Sequence, residues 1–170
     1  MVLEVNLRNL RYINARAALA SIIRLLATPK HLYRAQAGTP NMTKPRDIVL
    51  IVDDDLAVRE SLKFALELEG LAVGVCGSGA DLLRHPDLLR AGCLVLDYKM
   101  PEMDGFEVLD RLAALSVPVP VILITPNAAA PVRRRAKAAG VRHVLEKPLS
   151  DSALRDSISD VLANPAFVAE

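Results

Sequence analysis

The sequence predicts an α/β protein with a doubly wound, five-stranded parallel sheet. Three observations support this fold class. Five short apolar runs recur after residue 46, and stretches with helical periodicity lie between them. The central runs are apolar at nearly every position, as expected of strands covered on both faces. With 170 residues, 52% of them hydrophobic, the chain is long enough for one such domain and an extension.

Each element can be placed from its pattern. The five strands are predicted at 48–52, 71–76, 93–97, 119–124 and 143–146. Five helices are predicted between and after them, at 56–69, 78–84, 104–114, 130–139 and 150–163. Asp55 stands directly before the first helix and is predicted to be its N-cap, and Gly70 ends that helix.

Residues 1–46 are predicted to be a basic N-terminal extension and linker, followed by a domain over 47–164 and a tail over 165–170. The extension carries eight Lys or Arg and one acid, a formal charge of +7, whereas the remainder has a formal charge of −6. Apolar residues recur at helical spacing from Leu10 to Ala27, which predicts one amphipathic helix. This helix could contact an anionic membrane or a partner. Alternatively, the extension is loosely attached, or translation begins at Met42. Arg24 leaves no stretch long enough for a membrane span.

Composition excludes few functions but disfavours some. The acidic body argues against a DNA-binding surface. Only 4% of residues are aromatic and none is Trp, which disfavours binding of single-stranded nucleic acid by stacking. Cys76 and Cys93 lie in apolar runs without partners at metal-ligand spacing, so we predict two buried thiols in a reducing compartment.

Acidic residues stand where two predicted strands end. Asp53 and Asp54 follow the first strand, and Asp97 ends the third. In a parallel sheet these carboxyl ends lie at one edge, where ligands usually bind. Carboxylates that converge there repel each other unless a hard cation is bound between them. The pattern therefore predicts a site for magnesium-assisted phosphoryl chemistry.

Four motifs in order resemble the receiver domain (CheY-like) of bacterial two-component response regulators. They are the acids at 53–55, the segment from Leu96 to Gly105, Ile124-Thr125 and Glu146-Lys147-Pro148. Asp97 lies 43 positions after Asp54, Thr125 lies 28 positions after Asp97, and Lys147 lies 22 positions after Thr125. These spacings also match the family. The resemblance covers about residues 47–163 and is greatest to receivers of the nitrogen-fixation regulator type. It implies the (βα)5 flavodoxin-like receiver fold.

The resemblance implies a role for each site residue. Asp97 would be the phosphoacceptor, which attacks the phosphorus of a kinase phosphohistidine. Mg²⁺ would be bound by Asp53, Asp54, Asp97 and the backbone carbonyl of Lys99. Lys147 would contact the phosphoryl oxygens as a fixed cation, and Thr125 would donate from its hydroxyl. The Lys147-Pro148 bond could be cis, as in the family.

Two residues depart from the family pattern. Pro126 follows Thr125, where a small residue normally donates its backbone N–H to the phosphoryl group, and proline has no N–H. Val144 stands three residues before Lys147, where an aromatic residue normally rotates inward on phosphorylation. We therefore expect phosphoryl chemistry with an altered output or a short-lived phosphoryl state.

Function follows as an expectation. Only residues 164–170 remain after the last helix, so we expect a stand-alone cytoplasmic response regulator rather than an enzyme acting on separate substrates. It would receive its phosphoryl group from a sensor histidine kinase or phosphotransfer protein and signal by contact with another protein. A degenerate receiver that binds partners without phosphorylation stays open as an alternative.

Two other classes are ranked lower. A dehalogenase-type phosphatase needs Asp-x-Asp after its first strand, whereas Asp97 is followed by Tyr98 and Lys99. A nucleotide- or flavin-binding domain would share the topology, but neither glycine-rich phosphate-binding motif follows a strand.

Overall fold

A computed structural model describes residues 48–149 and 152–164. The predicted extension over 1–46 and the predicted tail over 165–170 lie outside the described residues. Strands and helices alternate along the described chain in the order β1 (Ile48–Val52), α1 (Leu56–Leu68), β2 (Ala72–Cys76), α2 (Gly79–Leu83), β3 (Ala91–Asp97), α3 (Gly105–Ala114), β4 (Val121–Thr125), α4 (Ala130–Ala138), β5 (His143–Glu146) and α5 (Ala153–Ala163).

The five strands form one parallel sheet in the order β2-β1-β3-β4-β5. The predicted fold class is therefore confirmed. Most predicted element ends agree within two residues, but α5 begins at Ala153 rather than at residue 150. A short 3₁₀ helix, Leu88–Arg90, precedes β3 and was not predicted. β3 also starts two residues earlier than predicted, with a shift in register against the start of β1.

Alternation along the strands divides the core between the two faces of the sheet. On one face Leu50, Leu94 and Leu123 pack with residues of α2, α3 and α4. On the other face their neighbours Ile51 and Val95 pack with residues of α1 and α5. β3 is buried at all seven positions because it lies at the centre of the sheet and is covered from both sides.

The helix termini next to the sheet edge are capped by acidic side chains. Asp55 accepts from the N–H groups of Ala57 and Val58, so the predicted N-cap of α1 is confirmed. Asp104 caps α3, and the Glu107 side chain accepts in return from the Asp104 N–H at 2.7 Å, which completes a capping box. These caps fix the directions in which the chain leaves β1 and β3.

Both cysteines are buried and free, as predicted. Burial raises the pKa of Cys76 to about 11 and that of Cys93 to about 12. Both thiols are therefore protonated at neutral pH and pack as small apolar groups. Among the helices of the described ranges, none combines the length and apolar character that crossing a membrane requires.

Candidate phosphoacceptor site

The site is built where β1, β3 and β5 end. Asp53 directly follows β1, Asp97 is the last residue of β3, and Lys147 directly follows β5. Because β1 and β3 are neighbours, the two carboxylates lie side by side. Lys147 reaches them across the end of β4, where its N–H donates to the carbonyl of Thr125 at 2.8 Å. The peptide bond between Lys147 and Pro148 is cis, as the sequence suggested.

The ammonium group of Lys147 contacts the carboxylates of both Asp53 and Asp97. Lys147 Nζ lies 2.6 Å from Asp97 Oδ1 and 3.3 Å from Asp53 Oδ2. Asp53 and Asp97 are each only 3% exposed. The two buried carboxylates therefore share the half-buried Lys147 ammonium group.

The ionisation of the pair reflects both burial and contact. Burial raises the pKa of Asp97, and the nearby Asp53 charge adds to this, although Lys147 and the Lys99 N–H oppose the shift. Burial alone would lower the pKa of Lys147, but its contacts with Asp97 and Asp53 outweigh burial and raise it. The lysine therefore stays charged at physiological pH, as a group that neutralises phosphoryl oxygens must.

The donor set fits a divalent cation. Asp97 Oδ1 is buried and, despite its short distance to Nζ, accepts no well-formed hydrogen bond from any residue of the described part. Carboxylate oxygens are among the hard oxygen ligands that bind Mg²⁺ in proteins. Within the described ranges, however, no three His, Cys, Asp or Glu side chains already stand together at ligand spacing.

The remaining predicted ligands lie at the rim. Asp54 is exposed between β1 and α1. Lys99 is exposed in the loop after β3. The structure thus brings Asp53, Asp97 and Lys147 into contact, while direct ligation by Asp54 and by the Lys99 carbonyl stays a prediction.

Thr125 ends β4 and is 1% exposed. Its hydroxyl donates to the carbonyl of Asn127 at 3.1 Å and accepts from the Asn127 N–H at 3.3 Å. The hydroxyl is therefore engaged by its own loop, and a phosphoryl contact requires that it turn. Pro126, between the two residues, is exposed and offers no N–H.

Val144 lies in β5 and is half-buried. Its side chain packs against the core on the face covered by α2, α3 and α4. An aromatic ring that swings between solvent and core is absent at this position. A different aromatic pair lies beside the site. The rings of Tyr98 and Phe106 pack edge to face, with their centroids 5.3 Å apart.

The sequence analysis missed Arg59. Its Nη1 donates to the carbonyl oxygen of Asp53 at 2.6 Å. The only signal in the sequence was its place one turn after the N-cap Asp55, where a long side chain can reach back to the strand end.

A parallel sheet with buried acids and a lysine at its carboxyl edge is an arrangement that suits phosphoryl chemistry in α/β domains. Comparison with known families identifies the particular family. The family model of the response regulator receiver domain matches residues 49–159, so the chain belongs to the response regulator receiver family. The resemblance seen in the sequence is confirmed.

Curated relatives are response regulators. The chain is 35% identical over 130 residues to the response regulator protein TmoT of Ectopseudomonas mendocina, covering 76% of this chain and 59% of that protein. It is 39% identical over 118 residues to the transcriptional regulatory protein FixJ of Azorhizobium caulinodans, covering 69% and 56%. The chain thus spans somewhat more than half the length of these relatives.

Solved structures agree with the fold. The crystal structure of FixJ-N matches with a TM-score of 0.63 at 35% identity, over 72% of this chain and 97% of that one. The response regulator StyR matches with a TM-score of 0.64 at 38% identity, over 68% of this chain and 59% of that one.

Proposed function

We propose that this receiver accepts a phosphoryl group on Asp97 from the phosphohistidine of a sensor kinase or phosphotransfer protein. One observation carries the proposal: the Asp97 carboxylate is buried at the sheet edge with Lys147 at 2.6 Å and Asp53 beside it. An arrangement that merely stabilised the fold would not need a second buried acid next to the same lysine.

The chain's own residues account for alignment and charge neutralisation. A carboxylate oxygen of Asp97 forms the new bond to phosphorus while the bond from phosphorus to the histidine nitrogen breaks, and the imidazole leaves with its electron pair. Lys147 is placed to neutralise phosphoryl oxygens. Asp53, Asp54, Asp97 and the Lys99 carbonyl would hold Mg²⁺, which when bound supplies further charge neutralisation. The domain assists its own phosphorylation and dephosphorylation and is not proposed to process a separate substrate.

We also propose that the phosphoryl state is short-lived or is read out unusually. Pro126 removes one donor, and the Thr125 hydroxyl is engaged by Asn127. Val144 offers no ring to report the change. The output must therefore use contacts other than aromatic rotation.

Signalling is proposed to pass through protein contact. Residues 47–170 carry a formal charge of −6, which repels nucleic acid. We propose that the receiver acts in the cytoplasm and that its phosphorylation state is read by contact with another protein. TmoT is a response regulator and FixJ a transcriptional regulatory protein, and we propose that the receiver of this chain serves the same kind of pathway.

Acetyl phosphate with Mg²⁺ tests the proposal. The intact protein should gain the mass of one phosphoryl group, and Asp97→Asn should not. Asp81→Asn is a matched control, because Asp81 is an exposed acid in α2. Equal labelling of wild type and Asp97→Asn would exclude Asp97 as the acceptor.

A degenerate receiver is the second candidate, and Pro126 and Val144 are the observations that favour it. In that case neither acetyl phosphate nor beryllofluoride would change the mass or the amide NMR spectrum of the wild type. Partner binding would then be the same for wild type and Asp97→Asn.

A further inference from the structure

Arg59 ties helix α1 to the main chain of Asp53. The residue lies in the second turn of α1 and is half-buried. Its Nη1 donates to the Asp53 carbonyl oxygen at 2.6 Å, which is a short, charge-assisted hydrogen bond. The strand pairing of β1 ends at Val52, so this carbonyl lies outside the sheet ladder. Without Arg59 it would lose a strong donor.

The guanidinium group also lies beside the loop after β2. A Cβ placed on Gly77 would lie 3.6 Å from each of Cζ, Nη1 and Nη2 of Arg59, so the face of the guanidinium is turned toward this position. Arg59 therefore lies between the ends of β1 and β2.

The other contacts of Asp53 show why this one matters. The Asp53 N–H donates to the Cys76 carbonyl at 3.4 Å, which is long for a hydrogen bond. The carboxylate is held at Oδ1 by the Asp55 N–H at 2.9 Å and at Oδ2 by Lys147 at 3.3 Å. The bond from Arg59 is the shortest of the four and the one that holds the main chain from outside the sheet.

We propose that Arg59 is a positioning residue for the divalent-cation site, which sets the angle at which Asp53 presents its carboxylate. The inference rests on the proposed function, since it assumes that Asp53 binds Mg²⁺. Groups that orient a metal ligand typically contribute about 10- to 100-fold in metal affinity. Lysine is a poor substitute, because a compact ammonium group cannot reproduce the planar, directed guanidinium donor.

The test compares Arg59→Met and Arg59→Lys in the full chain with wild type. Arg111→Met is the matched control, because Arg111 is an exposed arginine on α3. Mg²⁺ is titrated while amide resonances are followed by NMR, which gives a dissociation constant independent of activity. Thermal unfolding without metal measures the structural effect separately. The initial rate of phosphorylation by acetyl phosphate is then measured against Mg²⁺ concentration.

We expect the Mg²⁺ dissociation constant to rise about tenfold in Arg59→Met and by a smaller factor in Arg59→Lys, with no change in Arg111→Met. At saturating Mg²⁺ the phosphorylation rate should return close to that of wild type. An unchanged dissociation constant in a folded Arg59→Met protein would overturn the inference, even if its melting temperature falls. If Arg59→Met does not fold, Arg59→Lys decides: weaker Mg²⁺ binding supports the role, and wild-type binding overturns it.

The two proposals fail in different ways. If the wild type neither binds Mg²⁺ nor becomes phosphorylated, the proposed function is wrong. If the wild type does both and Arg59→Met binds Mg²⁺ equally well, only the role of Arg59 is wrong.

Discussion

At the scale of single residues, the loop after β4 limits the site. The Thr125 hydroxyl is hydrogen-bonded to the main chain of Asn127, and Pro126 has no backbone N–H. A hydrogen bond to a charged group contributes about 1.5–3 kcal/mol. The free energy of the missing hydrogen bond is therefore large enough to change the lifetime of the phosphoryl group.

Replacing Pro126 restores that donor. We expect Pro126→Ala to lengthen the half-life of phosphorylated Asp97 by about tenfold, the effect of roughly 1.4 kcal/mol. Decay of the phosphorylated form, followed by intact mass after removal of acetyl phosphate, measures this. Pro131→Ala, in the first turn of α4, is the control and should decay like wild type. Equal half-lives for all three proteins would show that Pro126 does not limit the phosphoryl state.

The buried thiols make a pH-dependent prediction. Their pKa values are raised in the folded state to about 11 and about 12, so folding favours the neutral thiol. The contribution of the buried neutral thiols to the free energy of unfolding is fully present below the unfolded pKa of about 8.5. It is lost as the pH rises toward the folded pKa values. Urea unfolding at pH 8 and pH 10.5 should show a larger loss for wild type than for a Cys76→Ala, Cys93→Ala double variant. Parallel losses in the two proteins would contradict the prediction.

At the scale of elements, α3 is placed by its first residue as much as by its cap. A Cβ on Gly105 would lie 2.9 Å from the Asp97 carbonyl oxygen and 3.0 Å from Tyr98 Cα. Both are main-chain atoms and cannot yield easily. Glycine at this position allows α3 to approach the main chain of Asp97.

This close approach reverses the usual effect of adding a methyl group. Glycine to alanine in a helix normally stabilises by about 1 kcal/mol. We expect Gly105→Ala instead to lower the free energy of unfolding by about 1–3 kcal/mol through overpacking. Gly77→Ala is the control, because its Cβ would meet only ordinary contacts at 3.6 Å. Chemical denaturation measures both, and a stabilised Gly105→Ala protein would disprove the packing argument.

The cap of α3 gives a second prediction at this scale. Asp104 accepts from the Phe106 and Glu107 N–H groups at 2.8 and 2.9 Å. Asp104→Ala should lower the free energy of unfolding by about 1 kcal/mol. Asp110→Ala is the control, since its contact with Arg135 is a 3.8 Å exposed ion pair, which contributes little. Equal effects of the two substitutions in urea denaturation would argue against the capping box.

At the scale of the whole molecule, polar contacts join the last helix, α5, to the edge strand β5. His143 in β5 contacts Asp160 in α5 at 2.8 Å, and Arg142 lies 3.9 Å from the same carboxylate. His143 and Asp160 are seventeen residues apart in the sequence, and their contact joins β5 to α5. Arg155 on α5 also lies 3.7 Å from Glu69 at the end of α1.

This junction should weaken in acid. The hydrogen bond with His143 lowers the pKa of Asp160, although some desolvation opposes it. Its stabilising contribution is therefore present above the unfolded pKa of about 3.9 and is lost as the pH falls through the folded value. Wild type should melt at a higher temperature than Asp160→Asn at pH 6, and the gap should narrow steadily as the pH is lowered below the unfolded pKa of about 3.9. A gap that does not change with pH in this range would mean that the carboxylate charge is not responsible.

Sequence alone was sufficient to predict the fold class and the edge of the sheet at which Asp53, Asp97 and Lys147 meet. It could do so because buried parallel strands read as continuous apolar runs, and their carboxyl ends share one edge. The contacts between side chains became evident only from the tertiary structure. The reach of Arg59 to Asp53, the packing of Gly105 and the bond of Thr125 to Asn127 depend on side-chain directions and close approaches. Sequence spacing does not specify these contacts, because they join elements whose relative placement is set by the packed core.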